Sequence, residues 1–209
     1  MNALADFTRY LAECPLIAII RGVRPDEAEA VCGAIIDAGI RIVEVPLNSP
    51  DPFASIERLA KRFGDQALVG GGTVLDPDDV KRVARAGGRI IVSPSTDAAV
   101  IRETWEEGLV SAPGFFTPSE GFAALKAGAH VLKLFPAEAA SPAVLKAIKA
   151  VLPHEVPLIV VGGVKPDTMR PWLEVGASGF GLGSGLFKSG RSASEVAAAA
   201  RAYVEGVRV

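Results

Sequence analysis

One supersecondary pattern recurs eight times along this chain, and it leaves few folds open. A short β-branched run is followed by a turn rich in Gly, Pro, Asn, Asp or Ser. An alanine-rich amphipathic stretch comes next and ends near a glycine. The runs are LIAII (16–20), IVEV (42–45), ALVG (67–70), RIIVS (89–93), LVSA (109–112), VLKLF (131–135), PLIVV (157–161) and GFGLG (179–183). Helices are expected to begin near Asp26, Asp51, Asp76, Thr96, Thr117, Ser141, Pro166 and Ser192. Several of these starts carry a cap or a first-turn proline, as in Asp76-Pro77 and Thr117-Pro118-Ser119-Glu120. Glycines 39, 87, 108, 128 and 176 read as helix stops.

Eight units in 209 residues leave about 25 residues each, the size of a compact (β/α)8 barrel. Residues 2–13 read as an extra N-terminal helix that could cap the barrel's bottom. A doubly wound open sheet uses the same alternating units. Eight units without an extra lobe favour the α/β TIM barrel, with residues 1–209 as a single domain.

Composition narrows the function classes. Charged residues make up 22% and hydrophobic residues 49%, a globular balance. A formal net charge of −2 gives no footprint for nucleic acid or an anionic membrane. No apolar stretch reaches the roughly 18 residues of a membrane span. The first residues, MNALADFTRYLAECP, lack the basic start of a secretion signal. Cys14 and Cys32 form no CxxC motif and are expected to pack as small apolar residues. A cytoplasmic enzyme is the expectation.

The chemistry concentrates at strand ends, where barrels carry their active sites. Lys133 lies inside Val131-Leu132-Lys133-Leu134-Phe135. Alternation puts Leu132 and Leu134 on one face and Lys133 on the other. An amine held in an apolar interior loses basicity and becomes a nucleophile able to form a Schiff base. The alternative is a lysine whose stem is buried while its head reaches solvent. Glu44 follows the same logic in Ile42-Val43-Glu44-Val45 and also points inward. The two charges could form a structural ion pair, or an amine nucleophile with its proton shuttle.

Other candidates are weaker one by one. Arg21 follows the first strand, and its guanidinium suits a carboxylate or a phosphate. Thr73 ends Gly70-Gly71-Gly72-Thr73, where glycines allow close approach of a ligand to the backbone. Val161-Gly162-Gly163-Val164 and Gly181-Leu182-Gly183-Ser184-Gly185 close the last two strands. That is where this fold usually cradles phosphate with backbone N–H groups. His130 and His154 have no metal-ligand partner at helical or hairpin spacing. Asp76, Asp78 and Asp79 suit a helix start. Phe115 and Phe116 fit core packing better than a pocket mouth.

Taken in order, VEVPLNSP, GGGTVL, VLKLFPAE, VVGG and GLGS resemble the 2-keto-3-deoxy-6-phosphogluconate aldolase family. The likeness spans nearly the whole chain. It leans toward the galactonate branch, whose PLIAIxRGxxPDEA pattern matches residues 15–28. In the gluconate branch TLR usually follows the glutamate, and Thr usually precedes the paired glycines. Here Pro46-Leu47-Asn48 and Val161 stand there instead. The resemblance implies that Lys133 is the Schiff-base lysine and Glu44 the general acid/base. It implies that Arg21, Thr73, Val161, Gly162, Gly163, Gly183 and Ser184 meet the substrate. The ligand implied is a phosphorylated keto-deoxy sugar acid, cleaved to pyruvate and glyceraldehyde 3-phosphate. No metal or other cofactor is implied, and a homotrimer is. Two other classes remain open from the residues alone: a phosphate-binding barrel isomerase or epimerase, and a barrel that binds without catalysis.

Overall fold

The computed structural model describes residues 2–208. Among the described residues nine parallel strands run in the order β1 (Leu16–Ile19), β2 (Ile42–Pro46), β3 (Leu68–Gly72), β4 (Ile90–Val92), β5 (Val110–Ala112), β6 (Gly114–Phe115), β7 (Leu132–Leu134), β8 (Leu158–Val161) and β9 (Gly179–Leu182). Their order in the sheet is β5-β4-β3-β2-β1-β9-β8-β7-β6. Since β5 and β6 are consecutive in the chain, the ring closes on itself. Pro113 is the break between them, because a proline has no N–H to give the ladder. Its carbonyl still accepts from Lys133 N at 2.9 Å, and Ser111 O accepts from Val131 N at 3.1 Å. The eight runs read from the sequence are therefore all strands, and β6, just past the fifth run, lies outside them. Closure removes the open doubly wound sheet from consideration.

Eight helices follow the strands: α2 (Ala28–Asp37), α3 (Pro52–Phe63), α4 (Pro77–Arg85), α5 (Ala98–Glu106), α6 (Pro118–Ala127), α7 (Pro142–Lys149), α8 (Arg170–Glu174) and α9 (Ala193–Val207). Five of the expected starts hold the N-cap position, Asp51, Asp76, Thr117, Ser141 and Ser192, and all but Asp51 accept a hydrogen bond from the first turn. Thr117 and Ser192 form full capping boxes with Glu120 and Glu195. Two starts move by one residue, to Glu27 and Asp97. At Pro166 the chain makes only a 3₁₀ turn before the short α8. The five glycine stops all take positive φ, between 70° and 109°.

The barrel has two cores because side chains alternate across each strand. Leu16, Val43, Val45, Leu132, Leu134, Val160 and Phe180 face outward against the helices. Ile17, Ile42, Leu68, Ile90, Val110, Val131 and Ile159 face inward. The first helix, α1 (Ala3–Glu13), closes the bottom. The Asn2 side chain accepts from Leu4 N and Ala5 N and starts the helix. Its Ala3, Phe7 and Tyr10 then join the inward cluster. Asp6 on the same helix meets Arg89 Nη2 at 2.6 Å, pinning α1 to the start of β4. The barrel interior is thus apolar below and open above. Cys14 and Cys32 are free thiols buried in the outer core. Among the described residues no helix is long and apolar enough to cross a membrane.

Candidate active site

The top of the barrel holds a cavity of about 720 Å³. All nine residues singled out from the sequence line it: Arg21, Glu44, Thr73, Lys133, Val161, Gly162, Gly163, Gly183 and Ser184.

Glu44 and Lys133 form its floor. In the eight-stranded ring β2 and β7 stand opposite each other, four strands apart either way. Both side chains point inward, as alternation requires, and both are buried, at 1% and 7% exposure. Burial pushes the Glu44 carboxyl up to about 7, against the pull of Lys133 and Arg21. Burial holds the Lys133 amine below the ordinary lysine range, against the pull of Glu44. Among the described residues Glu44 Oε2 is buried without a hydrogen-bond partner. Such an atom is costly to bury, and here it belongs to a carboxylate that also lines the cavity. Phe135 lies over Lys133, its ring centre 4.6 Å from Nζ, and shields the amine. A carboxyl poised at about 7 and an amine less basic than usual, both buried at the floor of one cavity, suit proton exchange.

The three glycines before Thr73 serve a different purpose from the one expected. They sit in β3 and leave room for protein rather than ligand. A Cβ on Gly72 would overlap the Glu44 carboxylate, and one on Gly70 would overlap Ile90 O. A Cβ on Gly71 would fall 2.7 Å from Val83 Cγ2. Gly72 is thus what lets Glu44 stand upright in the barrel. Thr73 itself takes φ of 55°, a conformation uncommon for a β-branched residue. Its Oγ1 accepts from Arg21 Nη2 at 3.2 Å, and Arg21 Nη1 donates to Asn48 Oδ1. This polar arc runs over β1, β2 and β3 and presents a guanidinium to the cavity.

The opposite rim is made by the loops after β8 and β9. Among the described residues, the N–H groups of Gly163, Val164, Ser184 and Gly185 donate to no protein acceptor. Lys165 and Lys188 also line this end. N–H groups without protein partners beside two ammonium groups are a lining that suits an anion. Gly183 faces open space, with no atom within 4 Å of an added Cβ. Gly162 and Gly163 differ from that. They hold φ of 123° and 63°, and their Cβ positions are taken by the side chain of Glu138.

Several lining residues escaped the sequence reading: Pro94, Phe135, Glu138, Lys165, Lys188, Ser189 and Tyr203. Lys165 and Lys188 carried a signal, since each follows a glycine-rich strand end. Tyr203 carried none, because it lies on α9. His130 does not reach the cavity; its Nδ1 accepts from Ser111 N at 3.1 Å. Asp76 caps α4, as its position suggested. Phe115 is core, and Phe116 is exposed. Among the described residues no three His, Cys, Asp or Glu side chains are grouped to hold a metal ion.

The family model of the KDPG and KHG aldolases matches residues 8–201. The chain belongs to the KDPG and KHG aldolase family. It is an aldolase, a carbon–carbon lyase, and the isomerase and binding-module readings lapse. A relative from Escherichia coli K12, a 2-dehydro-3-deoxy-6-phosphogalactonate aldolase, is 46% identical over 200 residues, 96% of this chain and 98% of the relative. A solved native KDPGal structure superposes with a TM-score of 0.92 at 47% identity, covering 93% of this chain and 94% of that one. A KDPG aldolase from Legionella pneumophila, with pyruvate captured as a covalent carbinolamine, superposes at 0.83 with 27% identity, covering 93% and 96%.

Proposed function

We propose that this aldolase cleaves 2-dehydro-3-deoxy-6-phosphogalactonate to pyruvate and D-glyceraldehyde 3-phosphate through a Schiff base on Lys133. The observation that carries the reading is the buried pair of Lys133 and Glu44 facing each other beneath an anion-binding rim. The neutral amine attacks the C2 ketone, and loss of water gives an iminium. Glu44, as carboxylate, takes the C4 hydroxyl proton through water. The C3–C4 bond breaks, its electrons flow into the iminium, and the aldehyde leaves. Glu44 returns the proton to C3 of the enamine, and water then releases pyruvate from the lysine. The carbinolamine of pyruvate in the Legionella aldolase is the addition product that such an amine forms.

Arg21, steadied by Asn48 and Thr73, is assigned to the substrate carboxylate. The β8 and β9 loops, with Gly162, Gly163, Gly183, Ser184, Lys165 and Lys188, are assigned to the phosphate. The phosphate end has its own cations, so the guanidinium is free for the other acid.

The galactonate epimer is favoured by the higher identity to the galactonate relative and by Val161. Val161 brings no hydroxyl toward the substrate, where the gluconate branch carries threonine. A site without that donor discriminates less against a displaced hydroxyl. Cleavage rates on both phosphorylated epimers test the assignment. The galactonate epimer is expected to lead, and Val161→Thr is expected to shift the kcat/KM ratio toward gluconate. A gluconate preference in the unaltered protein would overturn it.

A cytoplasmic homotrimer completes the proposal. Leu75, Trp105, Phe116 and Phe122 are exposed apolar side chains available for subunit contact. Sedimentation equilibrium at three times the chain mass supports it, and a monomer refutes it.

A further inference from the structure

Tyr203 sits on α9, far in sequence from any strand end, yet its hydroxyl reaches the rim of the cavity. The residue is buried, at 3% exposure. Oη donates to the carbonyl oxygen of Val164, in the loop after β8, at 2.8 Å. The same peptide is held at its other end, where Lys165 N donates to Thr168 Oγ1 at 2.9 Å. On its second side Oη presses against the loop after β9, since a Cβ on Gly185 would overlap it. Arg191 ties that loop from behind, with Nη1 donating to Gly185 O at 2.8 Å and Leu186 O at 2.7 Å. One buried hydroxyl therefore touches both of the loops that line this end of the cavity and carry N–H groups without protein partners among the described residues.

We propose that Tyr203 is a positioning residue that sets the spacing of the two loops and so the affinity for a phosphate group. The inference rests on reading those loops as the phosphate cradle. Backbone donors hold an anion only when they converge on it, and glycine-rich loops have the freedom to drift apart. A site ordered before binding loses less affinity to ordering. A tyrosine ring anchored in a helix is a rigid spacer, and its hydroxyl adds a directional tie to one loop. Phenylalanine would fill the same space without the tie.

The test uses condensation of pyruvate with glyceraldehyde 3-phosphate, with inorganic phosphate as a competing probe. Tyr203→Phe is expected to raise KM for the phosphorylated aldehyde by roughly three- to tenfold, the worth of one neutral hydrogen bond. The inhibition constant of inorganic phosphate should rise by the same factor, and kcat should move less than twofold. Gly185→Ala drives a methyl into the hydroxyl and should weaken phosphate binding further. In Gly185→Ala with Tyr203→Phe the nearest remaining ring atom is Cζ at 3.3 Å, so affinity should partly return. Unchanged phosphate affinity in Tyr203→Phe overturns the proposal, as does a fall in kcat at constant KM. A double variant no better than Gly185→Ala removes the spacer contact and overturns it too. If the unaltered protein neither prefers phosphorylated aldehyde nor is inhibited by phosphate, the cradle reading itself falls, and this inference with it.

Discussion

The two ends of this barrel each hold carboxyl and cationic side chains, and they treat them in opposite ways. At the bottom, Asp6 meets Arg89 at 2.6 Å and Arg9 at 2.8 Å. Those partners hold its carboxyl below the usual carboxylate range. At the top, Glu44 is almost wholly buried, Oε2 has no hydrogen-bond partner among the described residues, and burial pushes it up to about 7. A carboxylate satisfied by direct partners stays charged through the physiological range and can only hold structure. One that is desolvated and faces a cation across the barrel sits near its titration point, where it can give and take protons. Charge near the barrel axis therefore does not mark function; charge left unsatisfied does.

The largest expected effect falls on the amine. Lys133→Arg keeps a cation but presents no nucleophile at neutral pH. Cleavage should fall to background, roughly 10⁴-fold or more. Borohydride with pyruvate should inactivate the unaltered protein and add pyruvate mass to the peptide containing Lys133. A label on Lys126 or Lys146 instead would end the assignment.

Glu44 comes next. Glu44→Gln keeps the shape and removes the proton acceptor, and general acid–base steps contribute roughly 10²–10⁴-fold. Its pH dependence has a definite sign. The carboxylate form is the base and the neutral amine the nucleophile, so both requirements are met better as pH rises. With Glu44 at about 7, kcat/KM should climb through neutral pH in the unaltered protein. The limb that Glu44 controls should vanish in Glu44→Gln. A profile flat from pH 5.5 to 8.5 in the unaltered protein would contradict a carboxyl poised there.

How far this contrast was visible before the structure depends on which physical signal carried it. Strand alternation is local and strict, so the inward aim of Glu44 and Lys133 could be read from IVEV and VLKLF. Helix caps and glycine stops are local too, and most held to within a residue. Closure of the barrel was a count of units, and β6 went unread because two residues, Gly114 and Phe115, are too few to show alternation. The bottom plug could be placed, but its Asp6–Arg89 bridge joins residues 83 apart in sequence. The rim was only half legible. Glycines flagged the loops, while Glu138, which fills the space beside Gly162 and Gly163, came from another strand end. Gly70, Gly71 and Gly72 were misread because a glycine says only that room is needed, never for what.

At the rim the effects shrink to those of single hydrogen bonds. Ser184→Ala removes one hydroxyl from the proposed phosphate site. A hydrogen bond to a charged group is worth roughly 1.5–3 kcal/mol. The expected loss in kcat/KM on phosphorylated substrate is about ten- to a hundredfold, at 1.4 kcal/mol per decade. The unphosphorylated analogue should be affected much less. Equal losses on both substrates would move Ser184 from the phosphate to the chemistry or the fold.

The smallest catalytic effect is expected at the bottom, and it sharpens the contrast most. Arg89→Met keeps much of the side chain's apolar length and removes the cation that meets Asp6. Cleavage rates at saturating substrate should stay within about twofold, since Arg89 lies outside the cavity lining. Stability should fall, by about 1 kcal/mol, because the pair is largely buried but Asp6 retains Arg9. The sign with pH follows from the direction of the Asp6 shift. A carboxyl lowered on folding adds stability at pH values above its unfolded value of 3.8, and that stability is lost as pH falls through the folded value. Urea unfolding should therefore separate Arg89→Met from the unaltered protein at pH 7. The gap should narrow as pH drops below about 3.8, toward the lowered value at which folded Asp6 takes up its proton. A gap that persists undiminished at low pH would show that Arg89 acts through packing rather than charge. Cleavage that collapsed with an intact fold would show that the two ends of the barrel are coupled.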